Sequence, residues 1–113
     1  MNFLFRGSWI RRLLVGTGLF LVAIGNDLAG TSIVNIKAHA YTPATVVAAV
    51  GDTVTWVNQD DDPHTVKSSE PDGVLKSPAL DTNDRYSFTF AKPGVYKYFC
   101  TLHPQMQGEI LVH

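Results

Sequence analysis

The chain has 113 residues, 45% of them hydrophobic, which fits one compact domain and leaves no room for a second. Beyond residue 25 six Lys+Arg face ten Asp+Glu, a formal charge of −4; that excludes the basic footprint of a nucleic-acid binder and suits a basic protein partner. The single cysteine excludes an intramolecular disulfide and leaves Cys100 as an intermolecular bridge, a reactive thiol or a ligand.

In chain order, Met1 to Arg12 carries Arg6, Arg11 and Arg12 and no acidic residue, and Leu13 to Ile24 (LLVGTGLFLVAI) is then uncharged. A basic start followed by an apolar run of about 7–15 residues is the pattern of a secretory signal peptide, and the run is shorter than the ~20 apolar residues of a spanning helix. Residues 1–25 are therefore expected to be a signal peptide and 26–113 the mature domain, exported to the periplasm. Ala23-Ile24-Gly25 offers a small-x-small cleavage site that would start the mature chain at Asn26. Leu28-Ala29-Gly30 is a second candidate, and an uncleaved membrane anchor is the alternative reading. In an oxidising compartment a free thiol is a liability unless something occupies it, and a bound metal would do so.

After residue 30 short β-rich runs alternate with turns. Ser32 to His39 places Val34, Ile36 and Ala38 on one face. Thr45 to Val50 is small and apolar, and Gly51-Asp52 turns the chain into Thr53 to Asn58 (TVTWVN). Gln59 to Asn83 reads as loop with one or two short edge strands. Arg85 to Phe90 puts Tyr86, Phe88 and Phe90 on one face. Ala91 to Gly94 is a turn, Val95 to Cys100 the next strand, and Gly108 to His113 the last. Such runs, about 8–12 residues apart, predict an all-β sandwich or barrel. Trp56, Tyr86, Phe88, Phe90, Tyr96, Tyr98 and Phe99 are the expected aromatic core.

Strand parity puts Cys100 on the inward face with Tyr96 and Tyr98, at the point where the chain leaves the sheet. The loop that follows reads C-x2-H-x2-M through Cys100, His103 and Met106. A thiolate, an imidazole and a thioether at three-residue intervals can wrap one ion, and soft sulfur ligands with imidazole select copper. A second histidine is needed from another loop. His64 is the best candidate, because Pro63 fixes its own φ and restricts Asp62, stiffening the approach. Each residue alone has an ordinary role: a loop histidine, a buried thiol, a core methionine. Their conjunction carries the signal. His39 and His113 lack such company and are read as surface or strand-end histidines, not ligands.

These residues make the chain similar to the cupredoxins, the small blue-copper proteins. The resemblance runs from about Ile33 to His113 and is carried by Gly51 to Asn58 (GDTVTWVN), Pro63 to Val66 (PHTV), Pro93 to Cys100 (PGVYKYFC) and His103-Pro104 to Met106. It implies a Greek-key β-sandwich of about eight short strands, with copper at one end held by His64, Cys100 and His103 and Met106 axial. Two residues between His103 and Met106 match amicyanin-like members, whereas plastocyanin- and pseudoazurin-like loops have four. The function so implied is one-electron transfer by a monomer between redox proteins, with a dehydrogenase donor and a c-type cytochrome acceptor. His103 is expected nearer the surface than His64, with Leu102, Pro104 and Pro43 around its edge. Two positions depart from the family pattern: Thr65 stands where Asn is common, and Leu102 where amicyanin-like loops have Pro. Changes of this kind around the ligands tune the metal.

The runner-up is a copper carrier or buffer using the same ligands. A multicopper oxidase or nitrite-reducing enzyme would need a second cluster that His39 and His113 cannot build. A Cys100–His103 thiol enzyme would leave Met106 and His64 unexplained. The chain is therefore expected not to be an enzyme.

Overall fold

The computed structural model describes residues 28–113; the expected signal peptide and its first cleavage site lie outside the described residues. Eight strands follow one another: β1 (Thr31–Lys37), β2 (Ala40–Thr42), β3 (Thr45–Ala48), β4 (Thr53–Asn58), β5 (Lys67–Ser68), β6 (Arg85–Thr89), β7 (Gly94–Phe99) and β8 (Gln107–Val112). They form two four-stranded sheets, ordered β2-β1-β4-β6 and β3-β8-β7-β5. The all-β sandwich is thus the fold, and among the described residues there is no helix long and apolar enough to cross a membrane.

Alternation explains the sheets' inner faces. Val34 and Ile36 of β1, Val54 and Trp56 of β4, Tyr98 of β7 and Ile110 and Val112 of β8 all point into one core. Trp56 and Tyr98 meet edge to face with centroids 5.4 Å apart, and Tyr41 meets Tyr98 at 4.7 Å. Such aromatic pairs add about 0.5–1.5 kcal/mol beyond the area they bury. Tyr86, Phe88 and Tyr96 pack against this core and Phe90 is fully buried, whereas Phe99 falls on the other face of β7. Tyr41, Leu75 and Leu80 complete the core from positions the alternation pattern does not mark.

One expected element is shorter than its pattern. Ala38 does not continue the inward face of β1, because Ala38 and His39 adopt left-handed backbone (φ 53° and 58°) and turn the chain into β2. The N–H groups freed by that turn go to the Asp60 carboxylate, at 2.7 Å from Ala38 and 2.9 Å from His39. A side-chain acceptor from a distant loop therefore decides where β1 stops.

Topology then brings three connections together. β1 and β4 are parallel, with Ile36 opposite Asn58, so the β1–β2 turn and the β4–β5 loop leave the same end of the sandwich. β5 pairs with β7 through Lys67–Phe99 and Ser68–Tyr98, which sets the start of the β7–β8 loop beside the residues preceding β5. His39, His64 and the Cys100–Met106 segment meet at this end.

Candidate metal centre

The β4–β5 loop is organised by Asn58, which is fully buried. Its Nδ2 donates to the carbonyls of Asp62 (2.9 Å) and Leu80 (2.8 Å), and its Oδ1 accepts from the Asp60 amide (3.0 Å). His64 is then held at both ends. Its backbone exchanges two hydrogen bonds with Leu80, at 3.1 and 2.8 Å. Its Nε2 lies 2.8 Å from Asp60 Oδ2, which leaves Nδ1 facing inward.

Cys100 is buried at the end of β7, and its Sγ is the focus of the site. His64 Nδ1 lies 3.7 Å from it and His103 Nδ1 3.9 Å. Metal–imidazole and metal–thiolate bonds of about 2.0 and 2.3 Å, opened to 120°, span about 3.7 Å. The three donor atoms therefore have the spacing of ligands around one ion. The loop closes on itself: the Met106 amide donates to the His103 carbonyl (2.9 Å), and the Cys100 amide to the Met106 carbonyl (3.2 Å). Met106 is buried with Cys100 in the core cluster, while His103 is half-buried and so lies nearer the surface than His64.

Thr65 couples the two loops. Its amide points at Cys100 Sγ (3.3 Å), and its hydroxyl accepts from the Thr101 amide (2.8 Å) and lies 2.9 Å from Thr101 Oγ1. The tie between the two loops is thus made by a hydroxyl. Its carbonyl in turn accepts from the buried Tyr41 hydroxyl, whose pKa is raised chiefly by burial and further by the nearby Cys100 and Tyr98.

Two residues that the sequence reading did not single out border the site. Asp60 holds His64 from behind, the carboxylate–histidine arrangement that orients metal-ligating imidazoles. Burial opposes its charge, but the His39 and Ala38 amides and the His64 ring keep its carboxyl below the usual range. Its only sequence signal is a place four residues before His64, within an acidic run that reads as a polar turn. His39 does sit at a strand end on the surface, but not without company. Its ring meets those of His103 and His64 edge-on, with centroids 4.7 and 5.2 Å apart, and a nitrogen of each of the three lies within 4.8 Å of the others. His113 sits at the far end of the sandwich, where its amide and carbonyl pair with Ala48 and Val50.

An eight-stranded sandwich that gathers a buried thiol, two imidazoles and a thioether at one end defines a small metal-binding β-protein whose donors suit copper. The chain belongs to the cupredoxin-like family, whose model matches residues 13–112. It is 37% identical to amicyanin of Paracoccus denitrificans over 86 residues, 74% of this chain but only 66% of that one, just under two thirds of its length. To amicyanin-alpha of Methylorubrum extorquens it is 37% identical over 95 residues, 81% of this chain and 80% of the relative. Among solved structures, the Cu(I) form of an amicyanin variant superposes with a TM-score of 0.70 at 36% identity, covering 78% of this chain and 88% of the other.

Proposed function

We propose that this chain is a small blue-copper electron-transfer protein of the periplasm, with one copper held by His64, Cys100 and His103 and Met106 as the weak axial ligand. The observation that carries the reading is the convergence of two imidazole Nδ1 atoms on one buried sulfur. A trigonal His₂Cys set with a long axial Met is the blue-copper donor set, and a similar structure is of a Cu(I) amicyanin.

Bound copper would supply a one-electron couple. The chain's own residues keep the site from rearranging as the charge changes: Asp60 fixes the His64 ring, and the Thr65 amide faces the sulfur. The half-buried His103, 3.9 Å from the sulfur, gives a way from the sulfur to solvent. Leu102 is 50% exposed and Pro104 is exposed, so one flank of it is apolar, which suits a small transient redox interface. A carboxylate-rich flank at Asp60, Asp61 and Asp62 favours redox partners whose docking face is basic. Likeness to amicyanin motivates a dehydrogenase as donor and a c-type cytochrome as acceptor.

The test is to add Cu(II) to the purified protein. Intense visible colour, bleached by a mild reductant, restored by oxidation and lost in Cys100→Ser, is the expected result. Copper that binds without that colour, or that passes readily to an acceptor protein, would count against electron transfer and for a carrier.

A further inference from the structure

We propose that His39 and Asp62 form an outer landing site that captures the incoming copper ion and passes it to the buried donors, an inference that rests on the copper reading above. Of the four inner donors, His64 and Cys100 are 0% and Met106 5% exposed, so only the half-buried His103 meets solvent. A single imidazole edge is a weak trap for a hydrated ion. The His39 ring stands directly beside it and Asp62 against His39, their side chains 49% and 58% exposed.

The geometry suits chelation. His39 Nε2 and Asp62 Oδ2 are 3.0 Å apart. One ion about 2.0 Å from each would be seen under an angle of just under 100°, which fits adjacent positions of a tetragonal Cu(II) site. The His39 ring also lies edge-on to His103, with centroids 4.7 Å apart. Nitrogens of His39, His64 and His103 lie within 4.8 Å of one another, so an ion released by His39 has the next imidazole within one short step.

The turn that carries His39 is held by the machinery that orients the inner site. Asp60 binds the amides of Ala38 and His39 and the imidazole of His64 with one carboxylate. The flank is also rich in negative charge. Asp60, Asp61 and Asp62 are joined by Asp81 and Asp84, whose loop is tied on through Thr82 Oγ1 to the Asp60 carbonyl (2.7 Å) and the Asn58 amide to the Asp84 carbonyl (3.0 Å). Carboxylates gathered at the mouth of a site raise the local concentration of cations there.

The transfer step is a ligand exchange with no change in oxidation state. Bonds from Cu(II) to His39 Nε2 and the Asp62 carboxylate break as bonds to Cys100 Sγ and His64 Nδ1 form, and the thiol proton leaves to water. The thiolate makes the inner set the stronger one, so the exchange runs inward.

The experiment mixes purified apoprotein with Cu(II) ion in a stopped-flow instrument and follows the growth of the visible band. Asn accepts the left-handed backbone at position 39, so His39→Asn removes the ligand without straining the turn. We expect His39→Asn to slow uptake by about tenfold, the lower end of the loss commonly seen when a residue around a metal's ligands is changed, while the final spectrum stays that of the parent. Asp62→Asn, which leaves the turn untouched, is expected to slow it as well. Equal rates in the parent and His39→Asn, or in the parent and Asp62→Asn, would overturn the landing site and leave the copper reading standing. Absence of colour in every form would overturn both.

Discussion

At the residue scale the site is set by one carboxylate that strand patterns do not mark. Asp60 receives the Ala38 and His39 amides and the His64 Nε2, so it fixes a turn and a ligand at once. That His64, Cys100, His103 and Met106 would meet at one end was, by contrast, legible from spacing and from Pro63, since ligand chemistry leaves few alternatives for Cys, His and Met in one short loop. Thr65 was legible as a departure but not in its effect, because whether a hydroxyl reaches Thr101 depends on how two loops meet in space. Asp60→Asn removes a negative charge beside the copper site and gives up one of the three hydrogen bonds. Cu(II) carries more positive charge than Cu(I) and loses more by that change, so the reduction potential should rise. A differential loss of about 1.4 kcal/mol corresponds to about 59 mV for a one-electron couple. Protein-film voltammetry of the parent and the variant gives the shift, and an unchanged or lowered potential would mean that solvent screens Asp60 from the metal.

At the element scale, strand existence was readable and strand ends were not. TVTWVN was expected as a strand and forms β4 over the same residues, because Val54 and Trp56 face the core and turn residues bound the run. β1 stops before the pattern does, for a reason held in the β4–β5 loop. Gly108 shows a constraint that hydropathy cannot reveal. It lies opposite Tyr98 in the β7–β8 pairing, and a Cβ there would sit 2.9 Å from Tyr98 Cε2 and closer still to Cζ and Oη. Tyr98 cannot step aside, since Tyr41 and Trp56 pack against its ring. Gly108→Ala should therefore cost about 1–3 kcal/mol, as overpacking does, read as a lower denaturation midpoint in urea. The turn between β3 and β4 supplies a pH effect. The Asp52 carboxylate accepts from the Ala49 amide (2.9 Å) and the Gly30 amide (2.7 Å), and these two bonds hold its pKa below the ordinary 3.8. A carboxyl lowered on folding contributes stability that is full above its unfolded-state pKa and is lost as pH falls through the lowered native value. Asp52→Asn should thus melt below the parent near neutral pH, and the gap should close as melts are taken to more acid pH. A gap that stays constant would show that the charge is not what matters.

For the whole molecule, the candidate ligands at the metal end all come from loops that connect or leave the two sheets. His64 lies between β4 of one sheet and β5 of the other, and Cys100, His103 and Met106 lie between β7 and β8. An ion shared by these donors ties the β4–β5 crossing to the β7–β8 connection, a tie that the unfolded chain cannot offer. The folded chain already brings the donors together, with Nδ1 of both histidines within 3.9 Å of Cys100 Sγ, so little ordering remains for the ion to impose. Most of the binding energy should then appear as added stability of the native state. An ion present at a thousand times its Kd adds about 4 kcal/mol. In a domain of this size each kcal/mol moves Tm by about 4–8 °C, so stripping the copper should lower Tm by about 15–30 °C. Calorimetry of the loaded protein and of the same sample after reduction and chelation measures the difference. Two equal melting temperatures would mean that the ion does not bridge the loops, and the shared site at His64, Cys100 and His103 would have to be given up.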